Sequence, residues 1–73
     1  MHDIIDTAAL TLTHAGAVHR IQFSTRVDGR VEIQETAQVD GITIAHRTQP
    51  TKTAVEAVVL WRGLVEQGWT PQD

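Results

Sequence analysis

The chain has 73 residues, with nine Asp or Glu against six Lys or Arg, so its formal net charge is -3. It contains no cysteine, which excludes disulfides and thiolate metal sites. We find no apolar run of membrane-spanning length, no leader with a basic start and apolar middle, and no basic arm for nucleic acid. A chain this short has room for one core. We therefore expect a cytoplasmic, monomeric protein with a single domain over residues 1–73.

Alternation of apolar and polar residues predicts strands in the first two-thirds of the chain. Val, Ile and Thr supply about a third of all residues and favour sheets. Asp28-Gly29 and Asp40-Gly41 separate alternating runs and predict hairpins, because glycine adopts the positive φ of a primed turn. His14–Ala17 predicts a looser turn. The result is an antiparallel meander with four strands, Ala8–His14, Val18–Val27, Val31–Val39 and Ile42–Arg47.

One face of this sheet is expected to be buried and the other to be polar. Pro50 is expected to end the last strand, since proline has no N–H for the ladder. Pro71 is expected to mark the stop beyond the helical region. The predicted buried side chains are Leu10, Leu12, Ile21, Phe23, Val27, Val31, Ile33, Ile42 and Ile44.

Helical spacing begins after Pro50. Thr53 and Glu56 fit a capping box, and Gly68 followed by Trp69 fits a left-handed C-cap. We expect a helix over residues 53–67 that packs across the apolar sheet face and completes an α+β fold of order ββββα. Its predicted inner stripe consists of Ala54, Ala57, Val58, Trp61, Leu64 and Val65.

The residue types are not arranged as in an active site. Ser24 is the only serine and falls within a predicted strand. The four histidines lack the i, i+4 spacing that puts two metal ligands on one helix face, and no glycine-rich phosphate loop occurs. We expect no catalytic activity, no metal, no cofactor and no small-molecule substrate.

A β-β-β-α order that ends in Thr51–Ala54 distantly resembles the second half of a double-stranded RNA-binding domain. In that family a basic helix N-terminus meets phosphates. This chain has a single lysine there, Lys52, and lacks the family's first helix. Its acidic balance also opposes phosphate binding. We therefore expect no direct contact with nucleic acid and keep an RNA-binding module as the lesser alternative.

The N-terminal arm, residues 1–6, is the first candidate for contact with a partner. Two adjacent isoleucines lie there between acidic residues. They either add a strand to a partner's sheet edge, extend the first strand, or fray as termini commonly do. The candidate contact residues are Ile4, Ile5, Asp6, Leu10 and Thr11.

The helix carries a second candidate. Val55, Val59 and Leu60 lie off the predicted inner stripe. They are either the edge of a broad buried face, or scattered surface residues, or a patch that binds a partner.

The short, acidic, cysteine-free chain, with Met1–Leu12 leading into hairpins and its end at Trp61–Trp69, resembles small phage-encoded transcription regulators that bind bacterial RNA polymerase. The resemblance covers size and layout and includes no motif. It implies a host-takeover protein that contacts the polymerase β and β′ subunits, displaces the sigma factor, and affects termination. Other phage or antitoxin-like inhibitors, for example of a nuclease or a CRISPR complex, remain alternatives.

Overall fold

The predicted strands pair in sequence order, and the helix follows them. The computed structural model describes residues 4–72. The sheet is antiparallel with the order β4-β3-β2-β1-β5, so the α+β prediction is confirmed, with one strand more than expected. The elements are β1 (Ile4–His14), β2 (Ala17–Arg26), β3 (Val31–Val39), β4 (Ile42–Lys52), α1 (Ala54–Glu66) and β5 (Thr70–Gln72).

Two of the three hairpin turns are tight two-residue turns. Asp40 and Gly41 both have positive φ, 52° and 79°, as a type I′ turn requires. Ala15 and Gly16 also have positive φ, 52° and 81°, so the prediction of a looser turn there was wrong.

The Asp28-Gly29 turn is not of the primed type that the sequence suggested. Four residues separate β2 from β3, and only Gly29 among them has positive φ. The backbone N–H of Gly29 donates to the Arg26 carbonyl at 3.0 Å, and the Arg26 N–H donates to the Arg30 carbonyl at 2.8 Å. The Asp28 carboxylate fixes this loop, since it accepts from the Arg30 N–H at 3.0 Å and lies 3.3 Å from Arg26 Nη2.

Two strands are longer than expected. β1 starts at Ile4, so residues 4–6 of the predicted arm belong to the sheet, and residues 1–3 lie outside the described residues. β4 continues past Pro50 to Lys52, so the expected stop was wrong. β4 is an edge strand, and a proline is tolerated there because its missing N–H is not needed by a second neighbour.

The end of α1 sends the chain back to the sheet. The N–H of Gly68 donates to the Val65 carbonyl at 3.1 Å, and the N–H of Trp69 donates to the Leu64 carbonyl, also at 3.1 Å. With Gly68 at a φ of 104°, this is a Schellman motif, which confirms the predicted C-cap. The following residues form β5, in which Pro71 lies opposite Leu10 instead of marking a stop.

The core lies between α1 and the centre of the sheet. Leu10 and Ile33 are fully buried, and the rings of Phe23 and Trp61 meet edge to face with centroids 5.2 Å apart. Five of the nine predicted core residues of the sheet are buried as expected, and Leu12 is half-buried. The buried hydrophobic residues are Ala9, Leu10, Ile21, Phe23, Val31, Ile33, Ala37 and Ala57.

Three predicted core residues, Val27, Ile42 and Ile44, are exposed instead. Val27 lies in the loop after β2. Ile42 begins the edge strand, and a register shift between Ala37 and Gln38 leaves Ile44 without a cross-strand partner. Strict alternation cannot anticipate such a bulge, so the predicted face was wrong at this end of β4.

The inner stripe of α1 is also rotated from the predicted one. Leu60, together with Trp61 and Leu64, packs on the core, whereas Val58 and Val65 are exposed. Of the alternatives for Leu60, the structure supports the edge of a broad buried face and not an outer patch, whereas the assignment of Val58 and Val65 to the inner stripe was wrong. The helix is apolar nearly all round, so periodicity alone could not fix which side faces the sheet.

The capping box of α1 gives a first prediction. Thr53 Oγ1 accepts from the Glu56 N–H at 3.2 Å, and Glu56 Oε1 accepts from the Thr53 N–H at 3.0 Å. We expect Thr53→Ala to lower the free energy of unfolding by about 1 kcal/mol, which is roughly 4–8 °C in Tm for a domain of this size. Thr53→Ser keeps the acceptor and should change Tm little. Equal Tm values for the Ala and Ser variants would contradict the cap.

The same box makes stability depend on pH. The hydrogen bonds from the backbone and side chain of Thr53, with Lys52 and Arg30 nearby, hold the pKa of Glu56 below its ordinary value. A lowered folded-state pKa stabilises the fold above the unfolded-state pKa, and this contribution is lost as pH falls through the folded-state pKa. Thermal melts should therefore separate wild type from Glu56→Ala more at neutral pH than near about pH 3. The difference in Tm between Glu56→Gln and Glu56→Ala should not change with pH. A difference in Tm between wild type and Glu56→Ala that is equally insensitive to pH would refute the linkage.

Candidate protein-binding surface

The five N-terminal candidates do not form one surface. Leu10 is fully buried against the core, so its side chain cannot reach a partner and its inclusion was wrong. Thr11 lies on the other sheet face, opposite Arg20 and Thr70. Ile5 is exposed because a register shift between Ile4 and Asp6 leaves it unpaired.

Ile4 and Asp6 are both paired within the sheet, although the Asp6 side chain remains exposed. Ile4 lies opposite Arg26 and is half-buried, and Asp6 lies opposite Thr25. The Asp6 carboxylate accepts the N–H of Thr7 at 3.0 Å. Of the predicted arm, Ile5 is thus the one apolar side chain within residues 4–6 that is largely exposed to solvent.

The outer side of α1 presents a larger apolar surface. Val55 and Val59 are 74% and 66% exposed, and Val58 is 49% exposed. Together with Ala54 and Arg62 they line a shallow depression of about 320 Å³. We call these five residues the α1 surface. The sequence had indicated Val55 and Val59, whereas Val58 was missed because its spacing also fits the inner stripe.

A groove lies beside the α1 surface and continues it toward the sheet. Its volume is about 250 Å³, and its floor includes the rings of Phe23 and Trp61. Ala54, Val58 and Arg62 line both the depression and the groove, so the two are contiguous. Contiguous exposed apolar area next to a groove is a feature of sites where other proteins bind.

A single cation lies within this apolar area. The ion pairs among residues 4–72 are Arg26 with Asp28 and Arg47 with Glu35, so Arg62 has no carboxylate partner there. Its charge is available to a partner, and its aliphatic stem can cover apolar neighbours.

The edge of β4 also exposes apolar side chains, but it is protected. Ile42 and Ile44 are exposed there. The edge carries a bulge at Ile44, a second register shift near Pro50, and the charged side chain of Arg47. Bulges, proline and charge are the devices that keep an edge strand from pairing with another chain.

The described residues place the remaining chemical groups apart. No group of three or more His, Asp or Glu within residues 4–72 is close enough to hold a metal ion. Ser24 Oγ accepts from Gln22 Nε2 at 3.3 Å, within a row of polar side chains on the open sheet face. His19 packs edge-on against Trp69, with ring centroids 6.5 Å apart.

Comparison with protein-family models, with curated proteins and with solved structures gives no match. Within residues 4–72, α1 falls short of the length needed to cross a bilayer.

The division into core and surface predicts opposite responses to two substitutions. Leu10→Ala removes a fully buried side chain and should lower the free energy of unfolding by about 2–5 kcal/mol. Val59→Asp changes a solvated side chain and should change the free energy of unfolding by no more than about 0.5 kcal/mol. Urea denaturation followed by Trp fluorescence measures both. A large loss in Val59→Asp would mean that the outer side of α1 is packed in solution.

Proposed function

We propose that the protein acts by binding another protein through the α1 surface and its groove, and that it does not catalyse a reaction. The exposure of Val55, Val58 and Val59 beside the rings of Phe23 and Trp61 carries this proposal. Apolar groups held in water cost free energy, and covering them releases about 25 cal/mol for each Å². The gain is available to any partner with a complementary apolar ridge.

The size of the protein limits how it binds. Its accessible surface is 5160 Å², and a standard specific interface takes about 800 Å² from each partner. One such interface would use roughly a sixth of the surface, so it must extend beyond the α1 surface into the groove. Trp61 is half-buried at the groove and is an aromatic anchor of the kind that dominates binding energy, whereas Phe23 is buried beneath it.

Bacterial core RNA polymerase is the partner we propose to test first. The support is the resemblance in size and layout to small phage regulators of that enzyme. In this proposal the protein contacts the β and β′ subunits, excludes the sigma factor by overlap or by favouring another polymerase conformation, and alters termination. The net charge of -3 suits polymerase surfaces that are basic because they face nucleic acid.

One observation favours the RNA-binding alternative. Arg30 donates from Nε to Thr51 Oγ1 at 2.9 Å and from Nη2 to the Thr51 carbonyl at 3.0 Å. This holds a second cation beside Lys52 at the start of α1. Two cations neutralise few phosphates, and Glu56 lies in the same turn, so duplex RNA is the lesser candidate.

The test is a titration of purified core polymerase with the labelled full-length chain at low salt, with and without sigma factor. We expect saturable binding at micromolar concentration or below, and loss of binding as sigma is added. The double substitution Val55→Asp with Val59→Asp should weaken binding at least about tenfold, since it puts two charges into the apolar contact.

Ile42→Asp is the matched control, because Ile42 is 67% exposed, similar to Val59, and lies on the edge of β4. It should bind as wild type does. Loss of binding in Ile42→Asp alone would move the interface to β4. Absence of any polymerase complex would refute the polymerase assignment, and salt-sensitive binding of duplex RNA would favour the alternative.

A further inference from the structure

We infer that Arg20, on the sheet face opposite α1, is the centre of a binding site for a carboxylate or phosphate group. This site is separate from the α1 surface and does not depend on the proposed function. The argument rests on how Arg20 is held, on which hydrogen-bonding groups remain unused around it, and on the space beside it.

Two glutamines hold the Arg20 guanidinium in place. Its Nε–H donates to Gln72 Oε1 at 2.7 Å, and its Nη1 donates to Gln22 Oε1 at 2.6 Å. Gln22 is two residues along β2 on the same face, whereas Gln72 reaches the site through the pairing of β5 with β1. The side chain is therefore fixed before any ligand arrives, which reduces the entropy lost on binding.

The groups left over at this site are donors. Both partners of Arg20 are neutral amides, so its positive charge is not compensated by either of them. Three of its five N–H groups are not used in these two bonds. The Gln22 side-chain amide donates from Nε2 to Ser24 Oγ at 3.3 Å. The three oxygen atoms of this network each already accept a hydrogen bond, whereas most N–H groups of Arg20 are not used in it, so a ligand with several acceptor oxygens suits the site.

The carboxylates of residues 4–72 form no ion pair with Arg20. Within residues 4–72 the ion pairs involve Arg26 and Arg47, not Arg20. Glu32 is on the same sheet face but opposite Ser24, four residues along β2 from Arg20, or about 13 Å. The Asp6 carboxylate bonds to the Thr7 N–H.

There is space for a ligand beside Arg20. A depression of about 270 Å³ is lined by Thr7, Ala8, Ala9, Arg20 and Gln72. Ala9, whose neighbours in the register are Gln22 and Gln72, is itself buried and forms part of the lining of this depression. The space holds one small anionic group with water, and the planar fork of arginine suits the two oxygens of a carboxylate or phosphate.

The experiment is an NMR titration of the ¹⁵N-labelled full-length chain with sodium acetate and, separately, sodium phosphate. Sodium chloride at equal ionic strength is the reference. We expect a saturable shift of the Arg20 Nε–H resonance, of the Gln72 side-chain amide and of the Thr7 amide. The anion that saturates at lower concentration identifies whether the site prefers carboxylate or phosphate.

Asp73 follows Gln72 directly and carries a carboxylate of the proposed class, so the titration is repeated on Asp73→Asn. Saturable binding in either chain supports the site, and tighter binding in Asp73→Asn would mean that Asp73 competes for it. Binding in neither chain would overturn the inference.

Matched arginine variants make the result specific. Arg20→Lys keeps the charge but loses the fork, and we expect it to weaken binding about tenfold. Arg26→Lys changes an arginine on the same face that is already paired with Asp28, and should titrate as wild type does. The backbone amide spectrum of each variant confirms folding. Identical titrations for Arg20→Lys and wild type, or shifts that chloride reproduces, would overturn the site.

Discussion

A single helix has to cover one face of a five-stranded sheet, and most features of this protein follow from that. The 13 residues of α1 span about 20 Å, whereas the 11 residues of β1 or β4 span about 37 Å. The helix therefore seals only the middle of the sheet, where Trp61 meets Phe23 and Leu10 and Ile33 are fully buried. Apolar residues beyond its reach, such as Ile42, remain in water.

No helix within residues 4–72 covers the opposite sheet face, which is held by hydrogen bonds between side chains instead. Hydroxyl, amide and guanidinium groups satisfy one another there, from Ser24 through Gln22 and Arg20 to Gln72. Such a network is directional, since each donor needs a specific acceptor. The two faces therefore suit different ligands. The side of α1 suits an apolar surface, whereas the face around Arg20 presents oriented hydrogen-bond donors.

Local patterns in the sequence were enough for the positions of the hairpins, though not for two of their three turn types, and for the capping box at Thr53 and the Schellman motif at Gly68. Features that depend on distant parts of the chain were not. The exposure of Val58 depends on where α1 lies over the sheet, and the bulge at Ile44 depends on how β4 pairs with β3. The candidate surface was found in part, through Val55 and Val59, but its groove requires Phe23 from another element. The site around Arg20 could not be predicted from a local sequence pattern, because its partner Gln72 is 52 residues away in the sequence.

The pairing of β5 with β1 also bears on the order in which parts of the fold form. Every other strand pairs with its neighbour in sequence, whereas Thr11 and Thr70 are 59 residues apart. Closing that long loop carries the largest entropy cost of any strand pairing in residues 4–72. We expect the meander to assemble from local hairpins first and β5 to join after α1 has turned the chain back. In that order the guanidinium of Arg20 acquires its second amide partner, Gln72, last.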